Sequence, residues 1–402
     1  CGRRKGLQVL KTSPRSNRLH IALFGKRNSG KSSLINALTN QNAALVSDIA
    51  GTTTDPVYQP MEIHGIGPCV FIDTAGVDDV GELGKMRVEK TEKAAEKTDI
   101  AVLLFSGEEY QAELEWFHYF KEKHTPTLCV LSKADTLTDS DSIAAQLREE
   151  TKQEILVISS KNKKDIEKFK EELIRLVPDD YGEETITGAL VEEGDLVLLV
   201  MPQDIQAPKG RLILPQVQTI RDLLDHKCLV MSCTTDKLED TLAALARPPK
   251  LITDSQVFRT VYDKKPQESL LTSFSVLFAE YKGDFAYYKE SAAAISSLTE
   301  ESKVLIAECC THAPLKEDIG REKIPDMLRK RIGAGLTVDI VSGTDFPKDL
   351  SNYDLIIQCG ACMFNKKYVM TRIERAKEQK VPMSNYGVAI AYLSGILDKI
   401  SY

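Results

Sequence analysis

From about residue 18 to 178, apolar residues fall in short unbroken runs: Leu19–Phe24, Val70–Ile72, Ile100–Phe105, Thr127–Leu131 and Ile155–Ile158. Amphipathic stretches of helical period separate them, and all five run into Gly, Asp or Ser, where a loop must begin. A strand buried on both faces reads as a continuous apolar run, so the pattern predicts a mostly parallel sheet covered by helices on both sides. Ligands on such sheets gather at the carboxyl ends of the strands. Pro178-Asp-Asp-Tyr-Gly-Glu-Glu184 is polar and acidic and predicts a linker. A second segment, 185–265, carries the run Leu196–Met201, a helix around Val217–Leu224, a strand Leu229–Ser232 and a helix to Ala246. Pro248 and Pro249 end that helix before Leu251 and Ile252. A third segment, 266–402, holds strand-like Val304–Ala307 and Asp354–Ile357, both running into cysteines. It also holds a helix over Lys366–Lys380 and an apolar helix over Val388–Ile400. No period of about 20–50 residues repeats along the chain.

The 402 residues include 52 basic and 59 acidic side chains, for a formal net charge of −7. That balance argues against a general electrostatic grip on nucleic acid or an anionic membrane. No apolar run nears the ~20 residues that span a bilayer, and no signal-like apolar stretch lies near the start. Because the chain begins with Cys1, its first residues are expected to be a processing remnant. Nine cysteines, an odd number in a long chain, predict a reducing, cytoplasmic setting in which thiols are buried or bind metal.

The strand Leu19–Phe24 leads into Gly25, Lys26, Arg27, Asn28, Ser29, Gly30, Lys31 and Ser32, which match G-x-x-x-x-G-K-[ST], and Ser33–Leu38 reads as the helix that follows. In this phosphate-binding loop the backbone amides turn toward phosphate oxygens. Lys31 would reach the β- and γ-phosphates, and the Ser32 hydroxyl would bind Mg²⁺. Asp73-Thr-Ala-Gly76 ends the Val70–Ile72 strand, placing a carboxylate for Mg²⁺ and a Gly76 amide for the γ-phosphate. Ser132-Lys-Ala-Asp135 follows a later strand. Asp135 can accept from guanine N1–H and the 2-amino group, a pair adenine does not present, while the Lys133 stem lies along the base. Ser159, Ser160 and Lys161 fit the remaining base-contacting loop. The chemistry expected is GTP hydrolysis with Mg²⁺.

These motifs resemble the translation-factor-related GTPases, in the branch with the tRNA-modification GTPase MnmE and the ribosome-assembly GTPase Era. Asn28 stands where that branch uses an Asn to help hold an activating K⁺. Gly51-Thr-Thr-Thr-Asp55 resembles its G-T-T-R-D switch, with Thr54 in place of Arg. Thr53 is the expected switch ligand to Mg²⁺ and Thr52 its near rival. Lys31, Asn28, Thr53 and Gly76 form the expected catalytic set. Val77 stands where Ras-like proteins place a water-orienting Gln, which predicts slow intrinsic hydrolysis. Ser132 replaces the usual Asn of N-K-x-D and should weaken nucleotide affinity.

Cys310-Thr-His312 and Cys359-Gly-Ala-Cys362 are separated by 46 residues, 313 to 358. Cysteines three apart in a turn can converge on one ion or cluster, and Gly360 allows the turn to tighten. Three readings stay open on spacing: a Cys₃His zinc site, an iron–sulfur cluster, or buried thiols beside an unrelated C-x-x-C. Cys309 is expected to be a buried neighbour, and Cys69, Cys129, Cys228 and Cys233 to be core.

A GTPase segment of this kind, followed by C-x-H and C-x-x-C at this separation, resembles the HydF family of GTPase scaffolds that mature iron–iron hydrogenase. Ala207–Asp222, Ile252-Thr-Asp-Ser-Gln256 and Tyr281-Lys-Gly-Asp284 look like signature stretches of that family. The resemblance implies an α/β fold: a P-loop GTPase domain at 18–178 with a mostly parallel sheet, then two further α/β domains. These would be a dimerisation domain at 185–265 and a 4Fe–4S cluster domain at 266–402. Cys310, Cys359 and Cys362 would hold the cluster, with His312 matching the family's C-x-H histidine. Many members carry a His directly before C-x-x-C; here it is Gln358, which leaves the fourth iron open. The implied role is to accept a di-iron unit from radical-SAM maturases and deliver it to apo-hydrogenase, as a homodimer or larger oligomer. GTP would time the transfer. No nucleic-acid or membrane partner is expected. The competing reading is a GTP-dependent RNA or ribosome assembly factor with a structural zinc site.

Overall fold

The computed structural model describes residues 17–39, 56–76, 82–178, 181–182, 185–202, 212–309 and 319–401. The chain forms two compact units that divide in sequence between Tyr181 and Gly182, inside the expected linker.

The first unit is a six-stranded sheet. Its strands are β1 (Leu19–Phe24), β2 (Val57–Ile63), β3 (Gly67–Asp73), β4 (Ile100–Phe105), β5 (Thr127–Leu131) and β6 (Ile155–Val157), in the order β2-β3-β1-β4-β5-β6. Only β2 runs antiparallel, paired to β3 at the edge. Successive side chains of a strand point to opposite faces. Accordingly Leu19, Ile21 and Leu23 pack with Ile35, Phe169 and Leu173, while Ala22 and Phe24 pack with Phe117, Phe120 and Leu147. Helix caps are local: Asp139 accepts from the Ser142 amide to start Ser140–Thr151, and Asn162 accepts from Lys164 to start Lys163–Arg175.

The second unit contains two four-stranded, all-parallel sheets. One comprises β7 (Leu196–Val200), β8 (Leu229–Cys233), β9 (Lys250–Thr253) and β10 (Leu271–Ser273), in the order β10-β9-β7-β8. The other comprises β11 (Lys303–Ala307), β12 (Thr337–Val341), β13 (Leu355–Gln358) and β14 (Met383–Asn385), in the order β12-β11-β13-β14. Counted from its own first strand, each sheet has the order 2-1-3-4. One core, containing Leu198, Val200, Leu305, Ala307 and Tyr288, is shared between them.

Three expectations change. The division at 265/266 cuts the first of these sheets, because β10 lies beyond it and pairs Leu271 with Leu251. The helix expected over Val388–Ile400 starts earlier, at Tyr386, where Asn385 caps it, and stops at Leu393. The chain then turns through Gly395 at φ +67° into a short 3₁₀ turn, Leu397–Lys399. The helix expected to reach Ala246 ends at Ala243. Among the described residues, no helix is long and apolar enough to cross a membrane.

Candidate functional site

The phosphate-binding loop joins β1 to the helix Lys31–Thr39. A Cβ on Gly25 would sit 2.6 Å from the Leu104 carbonyl oxygen and 2.7 Å from Ser29 Oγ, so only glycine fits. Arg27 and Asn28 are exposed at the loop tip, with Asn28 left-handed at φ +59°. Lys31 Nζ donates to the carbonyls of Gly25 at 2.7 Å and Lys26 at 2.8 Å. Ser32 and Ser33 lie in the first helical turn, and Ser32 Oγ donates to Asp73 Oδ2 at 2.6 Å. Because β1 and β3 pair with Leu23 opposite Asp73, the two expected Mg²⁺ ligands meet at the strand ends. Burial raises the Asp73 pKa, against the pull of the Ser32 hydrogen bond and the Lys31 charge. A divalent ion beside it would favour the ionised form.

The loops expected to contact the base follow β5 and β6. Asp135 accepts from Lys161 Nζ at 2.7 Å and Ser159 Oγ at 2.8 Å, and these bonds, Lys161 first, hold its carboxyl below the usual range. Asp165 accepts from the Ser159 amide at 2.9 Å and fixes the Ser159–Lys161 turn, of which Ser160 is a half-buried member. Ala134, Asp135, Ser159, Lys161 and Asp165 line a cavity of about 550 Å³. Lys133 is left-handed at φ +57°, and its stem passes 4.0 Å from where a Cβ on Gly30 would lie. Ser132 retains a structural task. Its buried hydroxyl lies 2.5 Å from the Ser29 carbonyl oxygen and 3.1 Å from that of Phe105, tying the base loop to the phosphate loop.

The cysteine stretches leave neighbouring strands. β11 and β13 pair in parallel with Ala307 opposite Gln358, so Cys309 and Cys359 emerge at one rim. The Cys309 amide donates to Cys359 Sγ at 3.1 Å, and the Cys359 amide donates to the Ala307 carbonyl at 3.0 Å. Hydrogen bonding from the Cys309 thiol, the largest influence, keeps the Cys359 thiol pKa below its ordinary value despite burial. The left-handed residue of the C-x-x-C turn is Ala361, at φ +51°. Its methyl is buried in the core, which holds the backbone there. Glu308, buried beside Cys309, accepts three bonds from Arg321 and a fourth from Ser342. Cys310, His312, Thr52, Thr53 and Val77 lie outside the described residues. Gly76, a half-buried residue after β3, lies inside them. Cys69, Cys129 and Cys228 are buried as expected, whereas Cys233 is half-buried. Burial pushes the Cys129 thiol up to about 12.

Three side chains escaped the sequence reading. Glu113, buried under the phosphate loop, accepts from the Lys26 amide at 2.9 Å, and burial raises its pKa. Lys282 is 2% exposed and reaches the C-x-x-C turn, donating to Phe364 O at 2.8 Å and to Ala361 O and Cys362 O at 3.4 Å. Burial lowers its pKa to about 8, opposed by the thiols of Cys362, Cys309 and Cys359. Arg372 is 1% exposed, donates to Gly343 O at 2.6 Å, and lies among the rings of Phe346, Phe364 and Tyr368. Isolated buried charges cost several kcal/mol each. Among the described residues neither cation has a carboxylate partner. The available signals were a lysine closing the mostly apolar helix Phe274–Lys282 and its place in the Tyr281–Asp284 stretch.

Comparison with known proteins follows the same divisions. The model for the hydrogen maturase F dimerization domain matches residues 186–283, and that for the hydrogen maturase F tetramerization domain matches 286–401. The model for the 50S ribosome-binding GTPase matches 20–133. The tRNA modification GTPase MnmE of Flavobacterium johnsoniae is 35% identical over 169 residues, covering 40% of this chain and 36% of that protein. GTPase Der of Wolinella succinogenes is 46% identical over 89 residues, covering 21% and 19%. The chain thus spans between about a fifth and little more than a third of the length of the curated relatives it matches. A solved structure of Era with MgGDPNP and 16S ribosomal RNA nucleotides aligns over 59% of this chain and 92% of its own, with TM-score 0.37 and 18% identity.

Ser132→Ala removes the hydroxyl that joins the two nucleotide loops. Losing one buried hydrogen bond costs about 1 kcal/mol, so GDP affinity should fall about fivefold. Titration with a fluorescent GDP analogue measures it, and unchanged affinity would show the tie to be idle.

Proposed function

The chain belongs to the hydrogen maturase F family of hydrogenase-maturation GTPases, and we propose that it is a GTP-timed scaffold that binds a 4Fe–4S cluster. Its cargo is the di-iron unit of iron–iron hydrogenase, accepted from radical-SAM maturases and passed to the apo-enzyme. The observation that carries the cluster reading is the register of β11 and β13. It brings the C-x-x-C turn within hydrogen-bond reach of Cys309, the chain neighbour of Cys310. Cys310, Cys359 and Cys362 would be the thiolate ligands, with His312 a further candidate. The donor set suits iron–sulfur chemistry, and two buried cations beside the turn favour an anionic group there. When bound, the cluster supplies an iron able to accept a bridging ligand of the cargo.

The first unit is a GTPase domain, and its residues divide the work of nucleotide binding. Gly25 through Ser33 cradle the phosphates, and Ser32 and Asp73, already in contact, would share Mg²⁺ with Thr53. The Gly76 amide would read the γ-phosphate. Asp135, flanked by Lys133 and the Ser159–Lys161 turn, would read guanine. Asn28, exposed at the loop tip, would help hold K⁺ beside the phosphates.

The segments matched by dimerization and tetramerization models support an oligomer. In the sheet of the first of these, β8 is an edge strand whose Leu229 and Met231 are 58% and 40% exposed. Val217 and Leu224 of the neighbouring helix Leu214–Asp225 are exposed too. An unpaired edge carrying apolar side chains is a template for another strand. We assign it to a second copy of the chain.

Anaerobic purification should give brown protein with iron and sulfide, and Cys359→Ser should abolish both while GTP hydrolysis continues. Equimolar zinc without sulfide would overturn the cluster reading. Hydrolysis should run faster in KCl than in NaCl, and Asn28→Ala should erase the difference; equal wild-type rates in the two salts would reject the K⁺ role. Replacing Leu229 with Asp and Met231 with Lys should halve the mass of the smallest stable oligomer in light scattering. An unaltered mass would move the interface elsewhere.

A further inference from the structure

We propose that Lys282 is a positioning residue of the cluster site: it locks the C-x-x-C turn through its carbonyls and supplies a fixed positive charge that favours the reduced cluster. This rests on the cluster reading given above. A lysine in the last turn of a helix ordinarily extends into water, where it complements the helix dipole. Lys282 closes the mostly apolar helix Phe274–Lys282 yet is buried. Gly283 ends the helix directly behind it. A Cβ there would lie 2.6 Å from the ring of Tyr288 and 2.9 Å from the Ala279 carbonyl oxygen, so the tight exit that keeps Lys282 inside needs glycine.

The ammonium has three acceptors, the carbonyls of Ala361, Cys362 and Phe364. Three hydrogens serve three acceptors only in the protonated form, since a neutral amine has two. The three carbonyls span the turn from its left-handed residue to just past its second cysteine. Lys282 therefore determines the shape of the backbone that presents Cys362. Its ring contact, with Phe278 at 5.7 Å, adds no anion. Arg372 approaches the same segment from either end, touching Gln358 before Cys359 and Phe364 after Cys362. Two buried cations thus bracket a turn whose described surroundings provide neither with a carboxylate. A thiolate-bound cluster is anionic and becomes more so when it gains an electron. Fixed cations nearby therefore stabilise its reduced form more than its oxidised form.

The test uses the full-length protein, reconstituted anaerobically with iron and sulfide and titrated with dithionite under EPR. Lys282→Gln keeps a donor for the turn but removes the charge, Lys282→Arg keeps the charge, and Lys282→Met removes both. In Lys282→Gln the ratio of reduced to oxidised cluster at the wild-type midpoint should fall about tenfold, a shift of about 59 mV for one electron. Lys282→Arg should restore the wild-type midpoint, and Lys282→Met should also lose iron. Lys282→Gln that loads no cluster, with Lys282→Arg that does, supports the charge role by another route. A wild-type midpoint in loaded Lys282→Gln, or loss of iron in both Gln and Arg variants, overturns the proposal. Wild-type protein that takes up no iron and sulfide overturns the cluster reading beneath it.

Discussion

Parallel strands leave the sheet at a shared edge, and the functional chemistry of this chain depends on that constraint. In a sheet of order 2-1-3-4, the connections from the first and third strands depart in opposite directions, opening a crevice between their carboxyl ends. In the third sheet those strands are β11 and β13, and the cysteine stretches begin where they end. The first sheet uses its first and third strands in the same way. The phosphate loop follows β1, Asp73 closes β3, and Ser32 and Asp73 meet across the gap. Each set of donors comes from sequence-distant segments, which only strand pairing brings together.

The two sites also share an electrostatic device. Lys31 and Lys282 are both buried ammonium ions held by backbone carbonyls, those of Gly25 and Lys26 in one case and of Ala361, Cys362 and Phe364 in the other. Carbonyl oxygens satisfy the donors but leave the net charge in place, so the field of each cation extends to whatever lies at the rim. A carboxylate partner, which Lys282 lacks among the described residues, would have cancelled it there. At the phosphate loop the anion is the nucleotide. At the cysteine turn the proposed anion is the thiolate-bound cluster.

The difference between these lysines explains what the sequence disclosed. Lys31 belongs to the loop it serves, so a local motif reveals it. Lys282 arrives from a helix some 80 residues before the turn it holds; it stands in the Tyr281–Asp284 stretch, but nothing local to that stretch says which backbone it will hold. The same logic governs the elements. Leu19–Phe24, Ile100–Phe105 and Thr127–Leu131 were legible as unbroken apolar runs because helices cover both faces. β10 and β14 have three residues each and include buried polar side chains such as Thr272 and Ser384, so hydrophobicity does not announce them. Missing β10 displaced the expected domain division. The repeated 2-1-3-4 order escaped notice because its copies lie about a hundred residues apart and match in topology, not in residue type. Ser132 was legible as a departure from its motif; that its hydroxyl still bridges two carbonyls depended on the distance between loops.

If topology alone made the site, the second sheet would have an equal claim, since β7 and β9 are its first and third strands. The side chains beyond β9 argue otherwise. Ser255 bonds to Ser273 and Ser275, and Asp254 accepts from Gln216. Lys323 donates to Gln256. Among the described residues these polar groups bond to one another, and Lys323 makes its contact in an exposed position. Beyond β13 the balance reverses: Lys282 and Arg372 are buried against carbonyls, a side-chain amide and aromatic rings, with their charge uncancelled. Two copies of one architecture thus diverge in the charge stored at equivalent edges. The fold provides the crevice twice, and among the described residues it is the buried cations Lys282 and Arg372 that set the edge beyond β13 apart from the edge beyond β9.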